Sequence, residues 1–149
     1  MKQFRSFAFA TLLTLIHVQG FAQVTSIPKE AMDNFQAQYP LAEQVEWDND
    51  IVHVNVRFRL NGEKMNAEYS NKGLWRHTMQ DYSFEKLDTA IREGFSKSKF
   101  AEWEVTDVKK IYYPGNVEQY RLRAEKNDVQ KKYLYFNKAG RLLRDSITL

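Results

Sequence analysis

Between Ile51 and Leu60 the chain reads IVHVNVRFRL, and Val52, Val54, Val56, Phe58 and Leu60 alternate with His53, Asn55, Arg57 and Arg59. A period of two marks a strand with one apolar and one polar face. The run therefore demands a sheet that is covered on one side and wet on the other. Asn61-Gly62 follows at once. Both residues tolerate the positive φ that a two-residue hairpin turn requires, and the chain returns as KMNAEYS with Met65, Ala67 and Tyr69 in the inward phase. Asn71-Lys72-Gly73 then turns it into LWRHTMQ, where the phase is ambiguous because Trp75 and His77 alternate with Leu74 and Arg76. Together with the VEWDND segment before it, this predicts a meander of about four strands.

Such a meander needs something to cover its apolar side, and IPKEAMDNFQAQYP supplies it. Pro28 suits a first helical turn, Ala31, Met32, Phe35 and Tyr39 form one stripe at helical spacing, and Pro40 ends the helix. A shift of 56 places Ala31, Phe35 and Tyr39 on Leu87, Ile91 and Phe95, and Glu46-Trp47 on Glu102-Trp103. Further along the best shift is 67, which pairs Ala67, Tyr69 and Gly73 with Leu134, Phe136 and Gly140. The difference falls where DVKKIYYPGNVEQYRLR lengthens the early strands around a Pro114-Gly115-Asn116 turn. A helix-plus-meander unit thus occurs twice, over about 27–80 and 83–147. Trp47 and Trp103 are expected as equivalent residues, each covering the seam between helix and sheet.

The opening residues belong to a different category. Lys2 and Arg5 precede the apolar stretch Phe7–Ile16, and Gly20-Phe21-Ala22 provides small residues where a signal peptidase reads them. Residues 1–22 are read as a signal peptide and 23–149 as one mature domain, periplasmic or secreted. The apolar stretch is shorter than the roughly 20 residues a membrane-spanning helix needs, so no transmembrane segment is expected. Removing residues 1–22 leaves 20 Lys and Arg against 19 Asp and Glu. A balance so close to neutral is no footprint for nucleic acid. Without cysteine the fold relies on burial alone, and 14% aromatic residues suit that demand.

The motifs of catalysis are missing. The mature chain has no cysteine and two histidines, His53 and His77, neither within a nucleophile elbow or a His-Glu-x-x-His helix. The best available metal set, the two histidines with Glu68, falls short of three or four converging ligands and reads as solvated strand residues. Glycines are too scattered to cradle a phosphate. No enzyme activity, cofactor or metal is expected.

The pattern I-P-x-E-A-M-x-x-F-x-x-x-Y-P-x-A-x-x-V-x-W from Ile27 to Trp47, with Y-S-N-K-G from Tyr69 to Gly73, resembles the β-lactamase-inhibitor-like, PepSY-like family of exported bacterial proteins common in Bacteroidetes. The second unit departs from it, with Ser83-Phe84 in place of an apolar-Pro pair and Phe95-Ser96 in place of Tyr-Pro. The resemblance implies an α+β fold in which two tandem helix-plus-antiparallel-meander repeats form one curved sheet with both helices on one face. It implies no catalytic residue.

What is left for function is the polar side of that sheet. Alternation places His53, Asn55, Arg57 and Arg59 on it from the first unit and Arg121 and Arg123 from the second. Tyr133 and Tyr135 join them because Leu134 and Phe136 take the inward phase. Arg and Tyr are the residues favoured at interface centres. The expectation is a non-enzymatic, inhibitor-like binding domain that meets an envelope protein, peptide or anionic ligand through a local basic patch. A structural or stress-related envelope protein without a dedicated ligand is the other reading.

Overall fold

The structure, a computed structural model, describes residues 26–50 and 52–148; the expected signal peptide and the mature start at Gln23 lie outside them. Helix α1 (Lys29–Gln38) leads into four strands, β1 (Glu43–Asn49), β2 (His53–Leu60), β3 (Glu63–Ser70) and β4 (Trp75–Tyr82). Helix α2 (Thr89–Ser96) leads into four more, β5 (Glu104–Tyr113), β6 (Val117–Glu125), β7 (Lys131–Asn137) and β8 (Leu142–Ile147). All eight strands form one antiparallel sheet in chain order. None of the described helices is long and apolar enough to cross a membrane.

Both helices cover the same face. Val56 stands opposite Ala67 and Ala67 opposite Thr78, and the phase continues through Tyr82, Val108 and Leu122 to Leu134. At one end of this face Ala31 and Phe35 of α1 close over Val54, Val56, Phe58, Ala67 and Tyr69. At the other, Ile91 and Phe95 of α2 close over Leu122, Leu134 and Phe136, with Leu87, Phe100 and Tyr120 beside them. Two details of the expected stripes differ. Met32 is 40% exposed, because only Ala31 and Phe35 point squarely at the sheet. Val52 is exposed as well: it precedes β2 in a turn where the Asp50 carboxylate accepts the backbone N–H groups of Val52 (2.8 Å) and His53 (2.6 Å).

Turns and bulges set the registers. Asn61 (φ 52°) and Gly62 (φ 82°) make the expected hairpin turn between β2 and β3. The ambiguous phase of β4 has a physical cause: a register shift opposite Glu68 and Tyr69 sets Trp75 against Tyr69 and His77 against Glu68. Trp75 and Thr78 therefore share the helix side. There the fully buried Thr78 hydroxyl receives the Trp75 indole N–H at 2.9 Å and lies 2.6 Å from the Tyr39 hydroxyl. The Tyr-Pro pair is thus a join: Tyr39 ends α1, its backbone N–H bonds the Phe35 carbonyl at 2.8 Å, and its ring packs on Phe35 and Phe58.

The two tryptophans do not hold the same place. Trp47 lies within β1 opposite Val56, with its ring edge-on to Phe35 at 5.2 Å. Trp103 lies in the turn before β5 and packs on Phe100 at 5.2 Å. Opposite Leu122, the counterpart of Val56 when β3 and β7 are aligned, stands Val108. The helix contacts disagree with a shift of 56 in the same way. Gly73 abuts Glu30 and Ala31 while Gly140 abuts Ala90 and Ile91, which aligns Ala31 with Ile91 and not with Leu87. Leu87 precedes α2 and is buried from the turn.

Candidate functional site: the uncovered sheet face

The register carries His53, Asn55, Arg57 and Arg59 of β2 onto the face opposite the helices, level with Glu68, Asn66 and Lys64 of β3. His77, Met79 and Asp81 follow on β4, Lys109 and Ile111 on β5, Arg121 and Arg123 on β6, and Tyr133 and Tyr135 on β7. All eight residues singled out in the sequence therefore share one face. They do not form one patch: Arg57 and Arg59 lie toward the β1 edge, and Arg123, Tyr133 and Tyr135 toward the β8 edge.

Nor is the face a bare basic surface. Arg57 Nε lies 3.4 Å from Glu46 Oε2. Arg121 reaches Asp107 at 3.4 Å, Asp107 also meets Lys109 at 3.2 Å, and Lys109 continues to Asp81 at 2.6 Å. Charges of alternating sign thus run across β4, β5 and β6. Arg123 Nε stands 3.2 Å from Glu125 Oε1, an ion pair without a hydrogen bond at that nitrogen. The expected patch is corrected accordingly: carboxylates from neighbouring strands compensate Arg57 and Arg121, and Glu125 of the same strand compensates Arg123.

Aromatic rings stiffen this network. The Arg121 guanidinium lies over Tyr133 at 4.3 Å and touches Met79 Sδ at 3.8 Å, while Arg144 of β8 lies over Tyr135 at 3.6 Å. Ile111 is fully buried although it belongs to neither helix-covered core. Its phase puts it beneath the polar network, opposite Met79 on one side and Gln119 on the other. The centre of the uncovered face is consequently packed.

The histidines lie together without forming a metal site. His53 Nε2 is 3.7 Å from Glu68 Oε1, and Glu68 stands opposite His77. Burial, the largest influence on His77, pulls its pKa below the ordinary value, so the imidazole is neutral at pH 7. Among the described residues no group of three or more His, Asp or Glu could hold a metal ion.

Two depressions were not legible in the sequence. On the uncovered face, a hollow of about 610 Å3 takes in Arg57, Arg59, Lys64, Lys109 and Arg121 over Met79. On the helix side, a cleft of about 440 Å3 opens between the two cores, bordered by Tyr39, Trp75, Tyr112 and Val117. Both draw on strands far apart in the chain, so no local run announces either.

No protein-family model matches the chain, and no curated protein does. Solved structures do. A DUF2874 family protein from Bacteroides ovatus superposes with a TM-score of 0.75 at 24% identity, over 82% of this chain and 88% of that one. A BLIP-like protein from Bacteroides fragilis gives 0.74 at 22% identity, over 83% and 87%. A third, from Bacteroides eggerthii and described only as a candidate periplasmic protein, gives 0.72 at 20% identity, over 82% and 89%. The chain shares its fold with the DUF2874 and BLIP-like proteins of Bacteroides: an open eight-stranded antiparallel sheet with two helices.

Proposed function

We propose that this chain is an exported, non-enzymatic binding domain that holds an envelope protein against its uncovered sheet face, in the manner of an inhibitor. One observation carries this reading: the two helices share one face of the sheet, and the other, eight strands wide, is left open with Arg121 and Arg144 pre-set on tyrosine rings. Rigid Arg and Tyr side chains lose little entropy on binding and are favoured at interface centres. The likeness in fold to a protein described as BLIP-like agrees with it. The internal ion pairs favour the second reading, a structural or stress-related envelope protein with no dedicated ligand, because a self-satisfied face has less to gain from a partner.

A photo-crosslinking residue at Asn66, exposed on the uncovered face, should trap one envelope protein in stoichiometric yield. The same residue at Met32, on the exposed side of α1, should trap none. Equal yields from both positions, or nothing from either, would sink the proposal. Export is part of the same reading, with residues 1–22 as a removable signal, and intact-mass analysis of the exported protein should find a chain that starts at Gln23. Retention of Met1 would refute processing by this route. We further read residues 27–80 and 83–147 as tandem units of PepSY-like kind; the corresponding glycines over the two helices support this.

A further inference from the structure

We infer that Arg59 and Lys64, paired across the β2–β3 hairpin, are the point at which the uncovered face grips an acidic side chain of a protein partner. The inference rests on the reading of that face as a binding surface. The register sets Arg59 directly opposite Lys64. Like charges in that relation repel, and a sheet normally avoids or cancels them. Here they are not cancelled. Among the described residues the Lys64 side chain has no ion-pair or hydrogen-bond partner, and the Arg59 side chain bonds only neutral acceptors, Gln44 Oε1 at 3.1 Å and the Gly62 carbonyl at 2.8 Å. The nearby carboxylates are turned elsewhere. Glu46 pairs with Arg57 and Asp81 with Lys109, while Glu43 stands opposite Arg59 in register without forming an ion pair.

The neutral acceptors hold the guanidinium in place and leave its charge intact. Their geometry is maintained at a cost, since Gln44 adopts φ 51° within the β1 bulge. That left-handed conformation is unfavourable for any residue with a Cβ. The bulge separates Gln44 from Glu46, so that the amide meets Arg59 while the carboxylate meets Arg57. A carboxylate arriving at this position would accept from guanidinium and ammonium together, and charge-assisted bonds of this kind are the strong ones. Met79, at the bottom of the hollow, offers apolar contact to residues flanking the acid. A free anion would leave that contact unused.

The test is an amide and arginine Nε–H NMR titration of the mature chain with a peptide of alternating Glu and Leu, beside the same peptide with Gln for Glu. The Glu peptide should shift the signals of Gln44, Arg59 and Lys64. Its affinity should fall at least tenfold in the Arg59→Gln/Lys64→Gln double variant, and the Gln peptide should leave these signals unmoved. Lys64→Gln alone, at an exposed position, keeps the test decisive should the double variant fold poorly. Shifts confined to the Arg121 end overturn the inference while the binding reading of the face survives. No shift on the face overturns it too, and the Asn66 crosslink then judges the wider reading separately. Inorganic phosphate that produces the same shifts at equal or lower concentration also overturns it, in favour of a small-anion site.

Discussion

Helix α1 is tied to its strands by side chains: Asn34 Nδ2 donates to the Gly73 carbonyl at 2.9 Å, the Tyr69 hydroxyl donates to Gln38 Oε1 at 3.1 Å, and Tyr39 meets Thr78. Helix α2 is seated differently. Its side-chain hydrogen bonds stay within the helix and its last turn, and its backbone comes down on bare glycine. A Cβ built on Gly94 would lie 1.9 Å from the Gly140 carbonyl oxygen, and one on Gly140 would lie 2.0 Å from that of Ala90. Polar anchors can stretch or rotate as a helix shifts. A backbone-to-backbone contact has no such slack. Helix α1 also meets a glycine, but less closely: a Cβ on Gly73 would stand 2.7 and 2.8 Å from backbone atoms of Glu30 and Ala31, so the second half should be the more sensitive to a single added methyl.

That contrast breaks most visibly at Gly94. In an ordinary helix Gly→Ala gains about 1 kcal/mol. Here the new methyl would collide with backbone, and Gly94→Ala is expected to cost about 3 kcal/mol instead, near the upper end for overpacking, which lowers Tm by roughly 10 °C for a chain of this size. Gly73→Ala adds strain at φ 74° and brings its Cβ to 2.6 Å from Glu30 Cβ and 2.7 Å from the Glu30 backbone, yet should cost less because the Gly94 clash is closer, at 1.9 Å. Thermal melts of the two variants decide the matter. A stabilised Gly94→Ala would show that α2 is not seated on Gly140.

Thr78→Val probes the polar seat of the first half. The substitution keeps the shape, leaves the Trp75 indole N–H without its acceptor and leaves the Tyr39 hydroxyl with Gln38 Nε2 at 3.1 Å as its remaining partner. An unsatisfied buried group costs about 1–3 kcal/mol, so a loss of roughly 2 kcal/mol, mostly at the indole N–H, is expected in chemical denaturation. An unchanged midpoint would mean that water satisfies the indole N–H and that the first half, like the second, rests on packing.

How much of this was legible depends on whether the signal was local. The alternation in β2 and the Asn61-Gly62 turn placed a hairpin correctly, because period and turn chemistry are written in consecutive residues. The side on which Tyr133 and Tyr135 lie followed from Leu134 and Phe136 for the same reason. Trp47 and Trp103 misled, since two Glu-Trp pairs look alike in sequence whereas their places depend on strand register. β5 carries no clean alternation to read: Ile111 is an apolar residue in its outward phase, while Lys110 takes the inward phase, pairs with Glu118 at 3.0 Å and lies over the Tyr112 ring. The compensated arginines were invisible because Glu46 and Asp107 arrive from adjacent strands. So was the uncompensated pair, Arg59 with Lys64.

Alkaline pH should sharpen the difference between the halves more gently. Burial, the main cause, raises the pKa of Tyr69 and Tyr39 under α1 and of Tyr113 and Tyr120 in the second half, and the shift is largest at Tyr69. A phenol with a raised folded pKa contributes stability that is complete below the unfolded value of about 10. That contribution is lost as pH rises toward the folded value, because the unfolded chain ionises first. Hydrogen exchange followed from pH 9 to pH 11 should show protection falling earlier in β2, β3 and α1 than in β6 and β7. Simultaneous loss would mean that the halves unfold as one unit.

The smallest effect is expected at the arginines of the uncovered face, where the halves differ in burial and not only in sequence position. The Arg57 side chain is 61% exposed and its partner Glu46 is exposed too, so solvent screens the pair. Arg57→Gln should change stability by no more than about 0.5 kcal/mol. The Arg121 side chain is 14% exposed, sandwiched between Asp107, Met79 and the Tyr133 ring. Arg121→Gln leaves Asp107 with Lys109 as its one cation and empties the stack on Tyr133, and a loss of about 1 kcal/mol is expected. The two arginines are therefore not interchangeable probes of binding: reversing both to Glu would weaken the fold through Arg121 before it tested the surface through Arg57. Urea melts of the two single variants check this directly, and equal midpoints would show that the β6 arginine is as solvated as the β2 one.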